Sequence, residues 1–173
     1  MQIEVASRGE SGLLGIAIDP KFDTNNYLYV YHTYTSNNGK LLNRVVRLTD
    51  HQITAAEPTV IIDQIPGSSI HNGGRIKFGP DQKLYISTGD AGFKSLAQDL
   101  NSLAGKILRI NKDGTIPKDN PFQGSPIYSF GHRNPQGLAW HPKTNQLFVT
   151  EHGPIGHDEV NLIKPGFDYG WPQ

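Results

Sequence analysis

The chain contains no cysteine, so disulfides are excluded and either an oxidising or a reducing compartment is tolerated. It carries no net charge at pH 7, with 16 basic and 16 acidic residues, and therefore no field that would hold a polyanion. Nucleic acid and anionic membrane surfaces are poor partners for such a chain. No stretch approaches the ~18–20 consecutive apolar residues of a membrane span. Met1-Gln2-Ile3-Glu4 does not open a basic and apolar export leader. Helical periodicity is almost missing; Leu96, Leu100 and Leu103 give one short candidate over Ser95 to Leu103, read as a turn within a loop.

What the chain does have is glycine, proline and short alternating strands. Its 173 residues include 19 Gly and 12 Pro, the profile of one turn-rich β domain with a sizeable core. One module recurs three times. Ile16-Ala17-Ile18-Asp19-Pro20 leads to Tyr27-Leu28-Tyr29-Val30-Tyr31, and Ile76-Lys77-Phe78-Gly79-Pro80 leads to Leu84-Tyr85-Ile86-Ser87-Thr88. Leu138-Ala139-Trp140-His141-Pro142 leads to Leu147-Phe148-Val149-Thr150. The three prolines fall 60 and then 62 residues apart. A repeat of that size, holding about four short strands, predicts a propeller blade.

The modules lie near residues 12–50, 70–113 and 131–173 of a single partial domain, all-β in class. Arg44–Leu48 and Lys106–Ile110 supply further strands. Asn111-Lys112-Asp113-Gly114 reads as a hairpin-type turn, and Val160–Ile163 as a strand ending at Pro165-Gly166. Closed propellers need about 4–8 blades, so three blades predict an arc with two open edges and two uncovered apolar faces. Such faces would be buried by missing blades or by a second copy in a homodimer.

Functional residues of a propeller should recur in loops converging on its axis. Ser69–Arg75 precedes the second module and Gly89-Asp90-Ala91-Gly92 follows it; Phe130–Gly137 precedes the third and Glu151–Glu159 follows it. His71 stands before Gly73-Gly74, an arrangement that would let its backbone lie close to a ligand. Asp90, across the same hairpin, could orient the imidazole for general-base work, since imidazole ordinarily titrates near pH ~6.5. The plainer alternative is a turn-capping His and an Asx turn from Asp90 to Gly92. Arg133 and Asn134, held by Pro135, offer a rigid fork of donors for a planar oxyanion, the alternative being a surface ion pair. His132 is expected to pack beneath that loop. Glu151 to Glu159 combines carboxylates with a Gly and Pro kink suited to Ca²⁺, which takes about 6–8 oxygens including backbone carbonyls. His152 and His157 lack a third His or Cys partner, so zinc is disfavoured.

In order along the chain, several strings resemble the glucose/sorbosone dehydrogenase family, the soluble pyrroloquinoline quinone (PQQ) dependent aldose sugar dehydrogenases. They are Glu10–Gly15, His71-Asn72-Gly73-Gly74-Arg75, Ser87–Asp90, Gly105–Arg109, Gly131–Gly137, Glu151–Pro154, Asp158–Ile163 and Tyr169-Gly170-Trp171-Pro172. The resemblance implies a six-bladed propeller with PQQ over the axis, Ca²⁺ on its quinone, an aldose as substrate and an external electron acceptor. By matched motif, His71 would take the proton from the sugar C1 hydroxyl and Asp90 would orient it. Arg133 and Asn134 would bind PQQ, with Arg133 also stabilising negative charge, and Glu10 matches a cofactor-proximal position. The Gly153 and Pro154 carbonyls would bind the catalytic Ca²⁺, and Glu159 with the Tyr169 region a second, structural Ca²⁺.

His152 stands where the glucose branch has Gln, which favours broader aldose specificity. The family's later blades supply a Lys and further Arg that clamp the PQQ carboxylates; these are not among the present residues, so this chain alone is expected to bind PQQ weakly or not at all. The family also exports its members to the periplasm or beyond. Two other functions fit the same fold: a non-catalytic binding module, and a Ca²⁺-dependent lactonase.

Overall fold

A computed structural model of the protein describes residues 2–52 and 54–173. The first sheet contains β1 (Leu13–Ile18), a single helical turn α1 (Phe22–Asn25), β2 (Tyr27–Thr35), β3 (Leu41–Asp50) and β4 (Ala55–Pro66). The second contains β5 (Ile76–Phe78), β6 (Leu84–Thr88), β7 (Lys106–Ile110) and β8 (Ile127–Phe130); the third contains β9 (Pro135–Trp140), β10 (Leu147–Glu151) and β11 (Glu159–Ile163). Each strand pairs antiparallel with its chain neighbour, so every sheet is a meander. That is blade architecture, and the molecule is an arc of three propeller blades.

The repeated module owes its shape to one kind of turn. After the first strand, a side-chain acceptor caps the reversal: Asp19 Oδ1 takes the Lys21 N–H at 2.8 Å, Asp81 Oδ1 takes Lys83 N–H at 3.1 Å, and His141 Nδ1 takes Thr144 N–H at 3.1 Å. Just before the second strand, Asn26, Gln82 and Asn145 adopt left-handed backbone, with φ of 55, 60 and 56°. Such Asx-like caps and αL residues close tight reversals. Asn111–Gly114 is also a tight turn, with Gly114 N donating to Asn111 O at 2.9 Å. It does not join a hairpin, however: the partner of β7 arrives only after the 117–124 loop, which Arg109 pins through Asp119 and Asn120.

Blade stacking explains the strands that are buried throughout. In the second blade, Leu84, Ile86, Leu108 and Ile110 face the first blade and pack on Tyr29, Tyr31, Val45 and Ile65. The alternate residues Tyr85 and Ile107 face the third and pack on Leu138, Leu147, Val149 and Ile163. A period-2 strand between two neighbours must be apolar on both faces. At the ends of the arc the same pattern is uncovered: Ile16 is 66% exposed on the first blade and Val160 72% on the third. The expected open faces are therefore present. Among the described residues, no helix is long and apolar enough to cross a membrane.

Asp19 ties the first turn to the core. Burial pushes its carboxyl up, but the Lys21 N–H, Asn25, Lys112 and the Tyr29 hydroxyl outweigh that and hold it below the usual 3.8. Between its folded value and 3.8 the unfolded chain binds a proton that the folded chain does not, so stability falls as pH drops through that window. Asp19→Asn should cost about 1–3 kcal/mol at pH 7, and the gap to wild type should narrow at pH 3. Urea unfolding of both proteins at the two pH values checks this.

Candidate active site

In an antiparallel blade the first strand starts at the rim where the second strand ends. The loops before β5 and β9 and after β6 and β10 therefore share one end of the arc, and the segment before β1 joins them. The functional loops expected from the sequence do meet there.

His71 adopts left-handed backbone, with φ of 53°, a region non-glycine residues seldom occupy. Its N–H donates to Glu10 Oε2 at 2.9 Å, and its carbonyl accepts from Ala91 N at 3.1 Å. The imidazole Nδ1 lies 2.8 Å from Asp90 Oδ1, with side-chain exposures of 15% for His71 and 2% for Asp90. A carboxylate only accepts, so the proton of neutral His71 sits on Nδ1, and Nε2 is the proton-accepting nitrogen. Asp90 Oδ1 also takes the Gly92 N–H at 2.8 Å. The base pair and the Asx turn are thus not alternatives: one carboxylate makes both.

Asn72 fixes this loop to the first blade. Its side chain, buried, accepts from Ser68 N and Asn43 Nδ2, and donates to Ser68 O. The glycines that follow have a packing role as well as positive φ, of 63 and 95°. A Cβ on Gly73 would lie 2.6 Å from Ser87 O and one on Gly74 2.6 Å from the Leu14 Cβ, so the two residues are glycine because β6 and β1 crowd them from within.

Arg133 and Asn134 stand beside the histidine. Asn134 Oδ1 accepts from Gly73 N at 3.0 Å, joining the second and third blades. The Arg133 carbonyl takes the Asp90 N–H at 2.8 Å, and its Nη1 donates to the His152 carbonyl at 3.0 Å, so the guanidinium leans on main chain and not on a surface carboxylate. Its own N–H donates to Glu151 Oε1. Glu151 in turn pairs with His132 Nδ1 at 2.8 Å, and His132 Nε2 lies 2.8 Å from Ser129 Oγ. Ser129-His132-Glu151 has the connectivity of a nucleophilic triad. All three side chains are buried, so no substrate reaches the serine, and the relay instead anchors the Arg133 loop. His132 packs beneath that loop as expected, stacked 4.7 Å from the Tyr169 ring. Sequence reasoning did not assign Glu151 this role. The signal was available: Leu147, Val149 and Glu151 share the inward face of β10, and a buried carboxylate requires a partner.

Glu10, His71, Arg133, Asn134, Gln136, His152 and Gly153 line one cavity of about 510 Å³. The candidate metal donors line a neighbouring one. Gly153, Pro154, Glu159 and Tyr169 all border a cavity of about 390 Å³ beside Arg133 and Trp171. Pro154 O lies 2.9 Å from His157 Nδ1, Glu159 Oε2 accepts from Asn161, and the Tyr169 hydroxyl is engaged by Lys164 N and Leu162 O. The donors are oxygens of the kind a hard cation takes. Among the described residues no group of three or more His, Cys, Asp or Glu side chains is placed to hold a metal.

The propeller arc thus brings a carboxylate-oriented imidazole and a main-chain-anchored guanidinium into one rim cavity. The profile of the Glucose / Sorbosone dehydrogenase family matches residues 1–173, and the chain belongs to that family. It is 40% identical to quinoprotein glucose dehydrogenase B of Acinetobacter calcoaceticus, covering 95% of this chain and 40% of the relative. It is 36% identical to the aldose sugar dehydrogenase of Escherichia coli, covering 98% and 48% respectively. Its fold matches the PQQ-bound form of aldose sugar dehydrogenase from Streptomyces coelicolor with a TM-score of 0.91 and 47% identity, over 97% of this chain and 50% of that one. The chain thus spans about half the length of these relatives.

Proposed function

We propose that this chain carries the catalytic half of a PQQ-dependent aldose dehydrogenase that oxidises the C1 hydroxyl of a sugar to the lactone. The observation supporting it is the convergence of the His71–Asp90 pair, Arg133 and Asn134 on one cavity. PQQ, when bound, supplies the two-electron acceptor. His71 Nε2 takes the hydroxyl proton as the C1 hydrogen departs, and Asp90 stabilises the imidazolium that results. Arg133 and Asn134 present donors to the cofactor's oxygens, and Arg133 opposes the negative charge that develops there. The residues fit the reacting end of the cofactor. They do not fit the whole of it, because among the residues lining the cavity Arg133 is the sole fixed cation and PQQ is a tricarboxylate.

Calcium belongs to the same proposal: the Gly153 and Pro154 carbonyls would hold a catalytic ion, and Glu159 with the Tyr169 region a second, structural one. An aldose, an external electron acceptor and a periplasmic or secreted location complete it, on the strength of the relatives' names and the family resemblance.

The full-length gene product, supplied with PQQ and Ca²⁺, should reduce an artificial acceptor on addition of aldose. Arg133→Met should weaken PQQ binding about 10–100-fold, the loss of one charge-assisted contact, in an absorbance titration. No PQQ binding by the full-length protein would favour the binding module, and lactone hydrolysis without PQQ would favour the lactonase.

A further inference from the structure

His71 and Gly92 both use the same oxygen of Asp90, and that leaves the carboxylate's rotation about Cβ–Cγ unfixed by either. The other oxygen, Oδ2, accepts the indole N–H of Trp171 at 2.8 Å. The same indole faces Arg133, whose guanidinium carbon lies 5.4 Å from the ring centroid, within cation–π range. One side chain therefore touches both halves of the site.

The path that brings it there is built and not accidental. After β11 the chain turns at Pro165-Gly166 and runs parallel to β8, with Gly166 N on Tyr128 O, Tyr169 N on Phe130 O and Trp171 N on Gly131 O at 2.7, 2.9 and 3.0 Å. Gln98, from the loop after β6, clamps the other side by donating to Trp171 O at 2.8 Å and Asp168 Oδ1 at 2.9 Å. A tryptophan that merely filled space would not need its one polar atom aimed at a carboxylate buried to 2% side-chain exposure.

We propose that Trp171 is a positioning residue: its N–H locks the rotation of Asp90, and so the Nδ1–H tautomer of His71, while its ring face sets Arg133. With Oδ2 held, rotating the carboxylate breaks three hydrogen bonds at once. Without it, the carboxylate can turn part-way, to angles at which neither oxygen lines up with Nδ1, and the imidazole loses the partner that keeps Nε2 unprotonated. The inference deepens the sugar-oxidation reading of this site and takes its functional meaning from it.

The test is ¹⁵N NMR of the chain without sugar, PQQ or metal. Trp140 and Trp171 are the two tryptophans, so two indole N–H peaks arise and Trp171→Phe assigns them by loss of one. In the wild type the neutral His71 ring should show the Nδ1–H pattern alone; in Trp171→Phe, with its strand content retained by circular dichroism, it should become a mixture with the Nε2–H tautomer. An unaltered His71 pattern in the variant overturns the proposal. Should Trp171→Phe not fold, Asp90→Asn reads the same bond from its other end: the Trp171 indole peak should move upfield as an amide replaces the carboxylate, and a stationary peak overturns the proposal equally. Neither readout involves turnover. Failure here removes the role of Trp171 and leaves sugar oxidation standing, whereas absence of PQQ-dependent activity removes the latter and leaves the tautomer result intact.

Discussion

Replacing His71 with alanine should lower the turnover of aldose oxidation by about 10²–10⁴-fold in the full-length protein while PQQ remains bound. The argument is one of geometry. Hydride leaves a C–H bond only as the neighbouring hydroxyl gives up its proton, so a positioned acceptor is needed at that moment. His71 is held from three sides: its N–H by Glu10, its carbonyl by Ala91 N–H, and its Nδ1 by Asp90. Its backbone is fixed at a φ of 53°, so the loop cannot simply slide another residue into place. His71 lines the same cavity as Arg133 and Asn134, and truncating it would remove the proposed proton acceptor while leaving those two side chains in place. Steady-state dye reduction, paired with a PQQ absorbance titration, separates the two effects. A variant that turned over at the wild-type rate would show that the proton goes elsewhere.

The largest effect on stability is expected at Lys106, a residue the chemistry does not use. Its side chain is completely buried, and Nζ donates to Leu96 O, Ala97 O and Ala104 O at 2.8, 3.0 and 2.7 Å. All three ammonium hydrogens are thereby matched to carbonyls of the loop that follows β6. Lys106→Met keeps the shape and strands three acceptors in the interior, costing about 3–5 kcal/mol. For a chain of this size that is a drop of about 10 °C in melting temperature, measurable by circular dichroism. Burial pushes the ammonium down to about 8, against the pull of Asp99 and Asp168. Between that value and the ordinary 10.5 the unfolded chain keeps a proton that the folded chain releases. Stability from this group accordingly rises with pH across that interval, and the deficit of the methionine variant should be larger at pH 10 than at pH 7.

The strands were legible in the sequence because stacked blades enforce a period of two, and a period of two is a local property. Leu84–Thr88 and Lys106–Ile110 read as strands from their own residues, and the proline-led reversals announced where each first strand ended. The pairing of His71 with Asp90 was legible for the same reason, since both flank one hairpin. What was missed depends on distant chain. Trp171 reaches Asp90, 81 positions away, only because the segment after β11 doubles back along β8. Nor does local sequence show that Ser87 and Leu14 crowd Gly73 and Gly74, since both contacts come from other strands. The Asn111–Gly114 turn has hairpin composition, yet the strand it was expected to introduce is delayed by a loop that Arg109 organises from within the sheet. Local composition specified the bend and not its destination.

The doubling back of the chain after the third sheet ties chemistry to completeness. Asp90 is seated by its own hairpin, but the guanidinium that joins it in the cavity and the indole that steadies it both come from residues that take their places only when the last sheet has docked against the middle one. The restraints that Arg133 and Trp171 place on this rim share one dependency, and separating the third sheet from the second would remove both together.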